Sequence, residues 1–219
     1  MRPSIIFQNE HFVACYKEPL CLTTPSRFSS DDQRPVLGRI LEEVTSKRIW
    51  PVHRLDFEVS GLVLFATSEE AHRAANLAFE HRLVKKNYRA LSSKCLSEEL
   101  FELERSYLWE SVIAKGKKRA YEATFGKPSQ TRAVLLASGQ KHMLWSLSPL
   151  TGRSHQLRFE LSKRKMPIVG DKLYGSIESF EKGIALQSVS LEFGTKELFE
   201  RFGLPFEIVV SPNELLTCC

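Results

Sequence analysis

The stretch His53-Arg54-Leu55-Asp56-Phe57-Glu58-Val59-Ser60-Gly61-Leu62-Val63-Leu64-Phe65-Ala66 changes character halfway along. Its front half is polar and ionisable. Its back half is a continuous apolar run opened by Ser60-Gly61. A short segment that is apolar at every position predicts a strand buried on both faces, and Gly61 suits a tight bend ahead of it. The tetrad His53–Asp56 then falls on a loop at the mouth of that strand. Ionisable groups on a loop held by a rigid scaffold are a common way to build a site. Asp56 admits two readings. It caps a turn or pairs with Arg54 at the surface, or it is a nucleophile, since a carboxylate can attack an electron-poor carbon.

The chain has 219 residues, enough to bury a sizeable core in one domain or in one domain of two lobes. Apolar residues make up 42% and charged residues 26%, the balance of a globular chain and not of a disordered one. A formal net charge of +5 favours anionic partners, nucleic acid first, with a chance surplus of surface lysine as the alternative. After Met1-Arg2-Pro3 the apolar stretch Ile5–Phe7 is too short for a signal peptide, and no run approaches a membrane span. A cytoplasmic location is expected. The five cysteines, Cys15, Cys21, Cys95, Cys218 and Cys219, form no CxxC pair for zinc or redox work.

From the N-terminus, Ser4–Phe7 and His11–Tyr16 read as two strands around the turn Gln8-Asn9-Glu10. Lys17–Pro35 reads as a loop. Pro35 can begin a helix with Val36, Ile40, Leu41 and Val44 on one face. Ser68-Glu69-Glu70 is an N-cap with acidic residues in the first turn, opening a small-residue helix with Ala71, Ala74, Ala75, Leu77 and Ala78 that ends near Arg82. Lys85–Ser92 resembles a strand. Val112–Ala114, Tyr121–Phe125, Ala133–Ala137 and Met143–Leu147 predict an antiparallel patch. Ser154 is placed to cap a helix over His155–Arg164 with Leu157 and Leu161 inward. A short strand and turn at Pro167–Asp171, a long strand at Ile184–Phe193, Phe206–Val210 and a terminal turn complete the chain. Strands and helices mix without a βαβ rhythm, which predicts an α+β fold with a mainly antiparallel mixed sheet flanked by helices and loops.

Four clusters carry candidate chemistry: His53-Arg54-Leu55-Asp56; Tyr88 within Lys85-Lys86-Asn87-Tyr88; Thr151-Gly152-Arg153-Ser154-His155-Gln156-Leu157-Arg158; and Pro167-Ile168-Val169-Gly170-Asp171-Lys172-Leu173-Tyr174-Gly175. Each alone has a bland alternative: a core tyrosine, a solvent-facing arginine, an ordinary turn. His53 and His155 suggest acid–base work or metal binding, but no HxxxH or HxH spacing occurs, so no metal site is expected.

Taken in order, the four clusters resemble the RluA-type pseudouridine synthases. That family carries HRLDxxTSGLLL, KxY, TGRxHQxR and PxxGDxxYG in this sequence, and Lys17-Glu18-Pro19 stands where it has a Lys-Pro. The resemblance runs from about Ile5 to the Phe206 stretch. It implies a single catalytic domain over residues 1–219, without the N-terminal S4 module. It also implies an isomerase that turns uridines in structured ribosomal or transfer RNA into pseudouridine. Substrate and product are isomers, so no metal or other cofactor is expected, and a monomer is the default expectation. Asp56 matches the family's nucleophile, Tyr88 the tyrosine that stacks on the target base, and Arg158 the residue paired with the catalytic aspartate. Arg54 matches the arginine that fills the space left by the flipped nucleotide, and His53, Arg153, His155 and Gln156 fall among the RNA contacts. Val59 departs from the family's Thr, and Leu186-Gln187-Ser188 from its Leu-His-Ala. Lys115–Arg119 and Lys163–Lys165 are candidate phosphate contacts. Two rival readings are a noncatalytic RNA-binding protein on the same fold, and a hydrolase using Asp56 with His53 or His155.

Overall fold

The computed structural model describes residues 3–26, 32–94, 101–213 and 216. Part of the loop expected before Pro35, the expected terminal turn, Cys95, Cys218 and Cys219 lie outside the described residues. The chain divides into two compact units: residues up to Lys85 together with Ser188–Ser211, and Lys86–Gln187 together with the residues after Ser211.

In the first unit, β1 (Ser4–Gln8) and β2 (Phe12–Lys17) form an antiparallel hairpin. Asn9 makes its turn: the side-chain oxygen accepts from the backbone N–H groups of His11 and Phe12, both at 2.8 Å. β2 pairs antiparallel along its length with β4 (Ser60–Ala66), which also pairs with the two-residue β3 (Trp50–Pro51). The strand order is β1-β2-β4-β10, with β10 spanning Leu186–Phe193, and β11 (Glu207–Val209) lies antiparallel on β10. Every residue of β4 is buried, as its uninterrupted apolar run requires.

Gly61 serves a different purpose from the bend expected of it. It lies inside β4 with φ +109°, and a Cβ there would collide with the backbone carbonyl of Ser188. Only glycine lets the two backbones approach so closely.

Helix α1 spans Leu37–Thr45 and α2 spans Glu69–Glu80. The Ser68 side chain accepts from the Ala71 N–H at 3.3 Å, the expected cap. Ala71, Ala74, Ala75 and Ala78 line the buried face of α2 and pack against Leu62, Leu64, Leu191 and Phe193, while Leu77 points outward. Burying each of those large side chains is worth about 1.5–3 kcal/mol. In α1, Leu37 and Leu41 are the buried pair and Val44 is exposed, so the expected stripe is shorter than its sequence. That helix stops at Ser46, whose left-handed φ of 54° closes it. β3 and the five-residue α4 (Lys196–Glu200) are too short to leave a periodic signal, and the sequence reading missed both.

In the second unit, β5 (Val84–Ser93), β6 (Ser106–Lys115), β7 (Ala120–Glu122), β8 (Lys127–Ser138) and β9 (His142–Pro149) run in the order β5-β9-β8-β6-β7, each antiparallel to its neighbour. Trp145 anchors this sheet. It is fully buried, meets Trp109 and Phe101 edge-on at 5.2 and 5.1 Å, and donates its indole N–H to Ser92 at 3.0 Å.

Helix α3 (Gln156–Lys163) buries six consecutive residues from Gln156 to Leu161, not only the expected Leu157 and Leu161. Ser154 does not cap it. His155 occupies the cap position in a left-handed conformation, φ 53°, and makes no side-chain cap bond. The expected strand at Pro167–Asp171 reduces to one bridge, Ser92 to Ile168, followed by a turn and the single 3-10 turn Lys172–Tyr174.

Candidate active site

In the first unit the tetrad loop is pinned at three points. His53 Nε2 accepts the Leu64 N–H at 3.1 Å, which puts the ring proton on Nδ1, and the ring stacks on Phe79 at 5.2 Å. Leu55 is buried, and Thr23 grips it from both sides: the Leu55 N–H donates to Thr23 Oγ1 at 3.1 Å, and that hydroxyl donates to the Leu55 carbonyl at 3.2 Å. Beyond the tetrad, the Phe57 carbonyl accepts from the Leu20 N–H at 2.8 Å and from Lys17 Nζ at 3.3 Å. Arg54 is left exposed between these anchors. Asp56 is half-buried, and its backbone carbonyl accepts from the Val59 N–H at 3.2 Å, closing the turn that presents the carboxylate.

Lys17 is fully buried beneath this loop. Its ammonium donates to the carbonyls of Cys21 at 2.7 Å, Glu18 at 3.0 Å and Phe57. Burial pushes its pKa down to about 8, opposed by the negative charges of Cys21, Asp56, Glu58 and Glu18. Cys15 and Cys21 are both buried and stand outside any disulfide, and burial raises the Cys15 pKa to about 12, so it stays a thiol.

In the second unit Tyr88 is buried on β5 opposite Leu147. The loop after β9 is organised by Gln156. Its amide oxygen accepts from Thr151 Oγ1 at 2.8 Å and the Arg153 N–H at 3.0 Å, and its amide nitrogen donates to the Gln130 carbonyl and Thr131 Oγ1, both at 2.9 Å. The amide is saturated and buried, so Gln156 shapes the loop and has no hydrogen-bonding capacity left for a ligand. Arg153 Nε donates to the Pro128 carbonyl at 2.9 Å, and His155 Nδ1 lies 3.2 Å from the Tyr174 hydroxyl.

Arg158 is held by a carboxylate of its own unit. Nε donates to Asp171 Oδ2 at 2.7 Å and a terminal nitrogen to Oδ1 at 2.9 Å, with both side chains buried and the guanidinium 5.3 Å from the centre of the Tyr174 ring. This two-pronged geometry fixes the plane of the guanidinium. The sequence reading quoted Asp171 within its motif but gave it no role.

In the basic run Lys163–Lys165, Lys163 pairs with Glu122 at 2.5 Å, Arg164 with Glu160 at 2.5 Å and over the Trp109 ring at 4.3 Å, and Lys165 is exposed. Lys115, Lys117, Lys118 and Arg119 stand exposed at the β6–β7 turn. Among the described residues no three His, Cys, Asp or Glu side chains group as a metal ion would need.

Residues 11–163 match the sequence model of the RNA pseudouridylate synthases, a span that contains Asp56, Tyr88 and Arg158. The chain belongs to that family. It is 31% identical over 196 residues to the dual-specificity RNA pseudouridine synthase RluA of Vibrio vulnificus, covering 86% of this chain and 76% of that one. It is 27% identical over 180 residues to the tRNA pseudouridine synthase C of Vibrio parahaemolyticus, covering 78% and 73%. Human RNA pseudouridylate synthase domain containing 4 shares its fold, with a TM-score of 0.73 at 18% identity over 97% of this chain and 90% of that one. Within this pseudouridine synthase, Asp56, Arg54 and His53 belong to the first unit, and Tyr88, Arg153, His155, Gln156 and Arg158 to the second.

Residues that the sequence reading left without a role include Lys17, Thr23 and Asp171. Lys17 had a visible signal, a lysine closing an otherwise apolar strand. Asp171 had its place in the Gly170-Asp171 motif, but its partner is 13 residues away, and Thr23 had none, with its partner 32 residues away.

Proposed function

We propose that this pseudouridine synthase isomerises specific uridines in structured ribosomal or transfer RNA, with Asp56 as the nucleophile. The reaction breaks the bond from C1′ to N1, turns the base, joins C1′ to C5, and moves one proton from C5 to N1. Substrate and product are isomers, so no electrons are exchanged with a partner. A nucleophile must reach a carbon of a stacked nucleotide, which requires extruding that nucleotide. Tyr88 offers the everted base a face to stack on and assists removal of the C5 proton. Arg158, oriented by Asp171, supplies positive charge that favours ionised Asp56. Arg54 enters the helix where the nucleotide left, while Arg153 and His155 contact the RNA. His53 and Gln156 act at one remove by holding the two loops in shape.

The observation that supports this reading most is the family match over residues 11–163, a span that contains Asp56, Tyr88 and Arg158. The protein acts as a monomer in the cytoplasm. No described helix is long and apolar enough to cross a membrane. Mapping pseudouridines across total RNA from cells with and without the gene is the test. Sites that vanish in the deletion and return with the wild-type gene are expected. An unchanged map in ribosomal and transfer RNA would refute it.

A further inference from the structure

Lys86 sits on β5 two residues before Tyr88, so the two side chains share a face of the strand, on the order of 7 Å apart. It is half-buried. The other lysines drawn into the fold have partners: Lys17 bonds three carbonyls, Lys94 bonds the Gly139 carbonyl at 2.8 Å, and Lys163 pairs with Glu122. Its neighbour Lys85, on the opposite face, pairs with Glu192 at 2.6 Å. Among the described residues, no carboxylate or carbonyl bonds the Lys86 ammonium. Burial alone lowers its pKa, with no opposing charge. Its Nζ lies beside the backbone of Gly152, where an added Cβ would sit 3.9 Å away, so it borders an exposed glycine of the Thr151–Arg153 loop.

A cation stripped of water without a counter-ion costs folding free energy. A ligand that brings a negative charge removes that cost on binding. RNA carries such charge on its phosphates, which dominate its affinity for proteins. A base stacked on Tyr88 has its own phosphate within one nucleotide's reach of Lys86. We propose that Lys86 receives a backbone phosphate of the nucleotide whose base stacks on Tyr88, acting as a substrate-binding residue. This rests on the reading of Tyr88 given above.

The test is a double-mutant cycle on an RNA stem-loop carrying the mapped uridine. Wild-type protein and Lys86→Met are titrated with the native RNA and with RNAs bearing a single methylphosphonate at, before or after the target. Lys86→Met is expected to weaken native RNA binding on the order of tenfold or more. One methylphosphonate should weaken wild-type binding by a similar factor, and have little further effect on the variant. Lys86→Arg should keep most of the affinity. In the absence of RNA, Lys86→Met should melt at or above the wild-type temperature, because the replaced charge has no partner to lose. A variant that melts lower yet binds RNA normally would assign Lys86 a structural role and overturn the proposal. So would methylphosphonate losses that are equal in wild type and variant. A cycle that holds on a protein that forms no pseudouridine would refute the enzyme reading and leave the phosphate contact standing. Turnover without coupling in the cycle would do the reverse.

Discussion

Arg158 and Asp171 form a buried two-pronged ion pair, at 2.7 and 2.9 Å, joining helix α3 to the turn after Ile168. The carboxylate of the Gly170-Asp171 motif therefore has a job that can be stated physically: it sets the plane of a guanidinium. Removing one member of a buried pair leaves the other charged and alone, which costs about 3–5 kcal/mol. Asp171→Ala should lose that much stability in urea titration, and lose pseudouridine formation even at temperatures where it stays folded. A stability change under about 1 kcal/mol would mean that Arg158 is satisfied without Asp171.

On the proposed role of Arg158 in the chemistry of Asp56 and not in docking, Arg158→Ala should impair turnover more than RNA binding. Single-turnover rates and filter-binding affinities separate the two. Equal losses in both would contradict this role.

Lys17 gives a pH dependence with a defined sign. Its folded pKa of about 8 lies below the ordinary 10.5, so the folded state binds the proton more weakly than the unfolded state does. The penalty of the buried ammonium is present in full below pH 8. It is relieved as the pH rises from about 8 towards 10.5, by roughly 3 kcal/mol in total. Urea midpoints of wild type and Lys17→Met across this window should converge from below on the wild-type side. A pH-independent difference would place the Lys17 pKa at its ordinary value.

Several elements were legible in the sequence because their signals are local. The all-apolar run predicts β4, and Ser68 with its alanine ladder predicts α2 and its cap. Ser154 misled for the same reason. It satisfies the local rule for a cap, yet the turn there is closed by the Gln156 amide reaching Thr151 and the Arg153 N–H, a network that needs Gln130 and Thr131 from β8. Gly61 was read as a bend because its collision partner, Ser188, is 127 residues away. The roles proposed for Asp56, Tyr88 and Arg158 rest on four motifs in order. The contact of Thr23 with Leu55, 32 residues on, is one that no spacing displays.

Ser188 stands where the family often carries alanine, and its buried hydroxyl has no hydrogen-bond partner among the described residues. An unsatisfied buried hydroxyl costs about 1–3 kcal/mol. Ser188→Ala should therefore raise the melting temperature, and thermal denaturation decides it. A lower melting temperature would show that the hydroxyl is bonded in solution.

The exposed Lys117, Lys118 and Arg119 have no carboxylate partner among the described residues. Replacing all three with alanine should flatten the salt dependence of RNA affinity by about 2–3 in log–log slope if each meets a phosphate. Turnover at saturating RNA should be unchanged. A slope equal to wild type would leave the β6–β7 turn a solvated surface.

The nucleophile assignment can be tested by expressing wild type and Asp56→Asn side by side in cells lacking the gene, then counting pseudouridine at the mapped positions. Asparagine keeps the shape and removes the attacking charge, so full restoration by wild type and none by the variant is expected. Restoration by Asp56→Asn to the wild-type level would contradict the account.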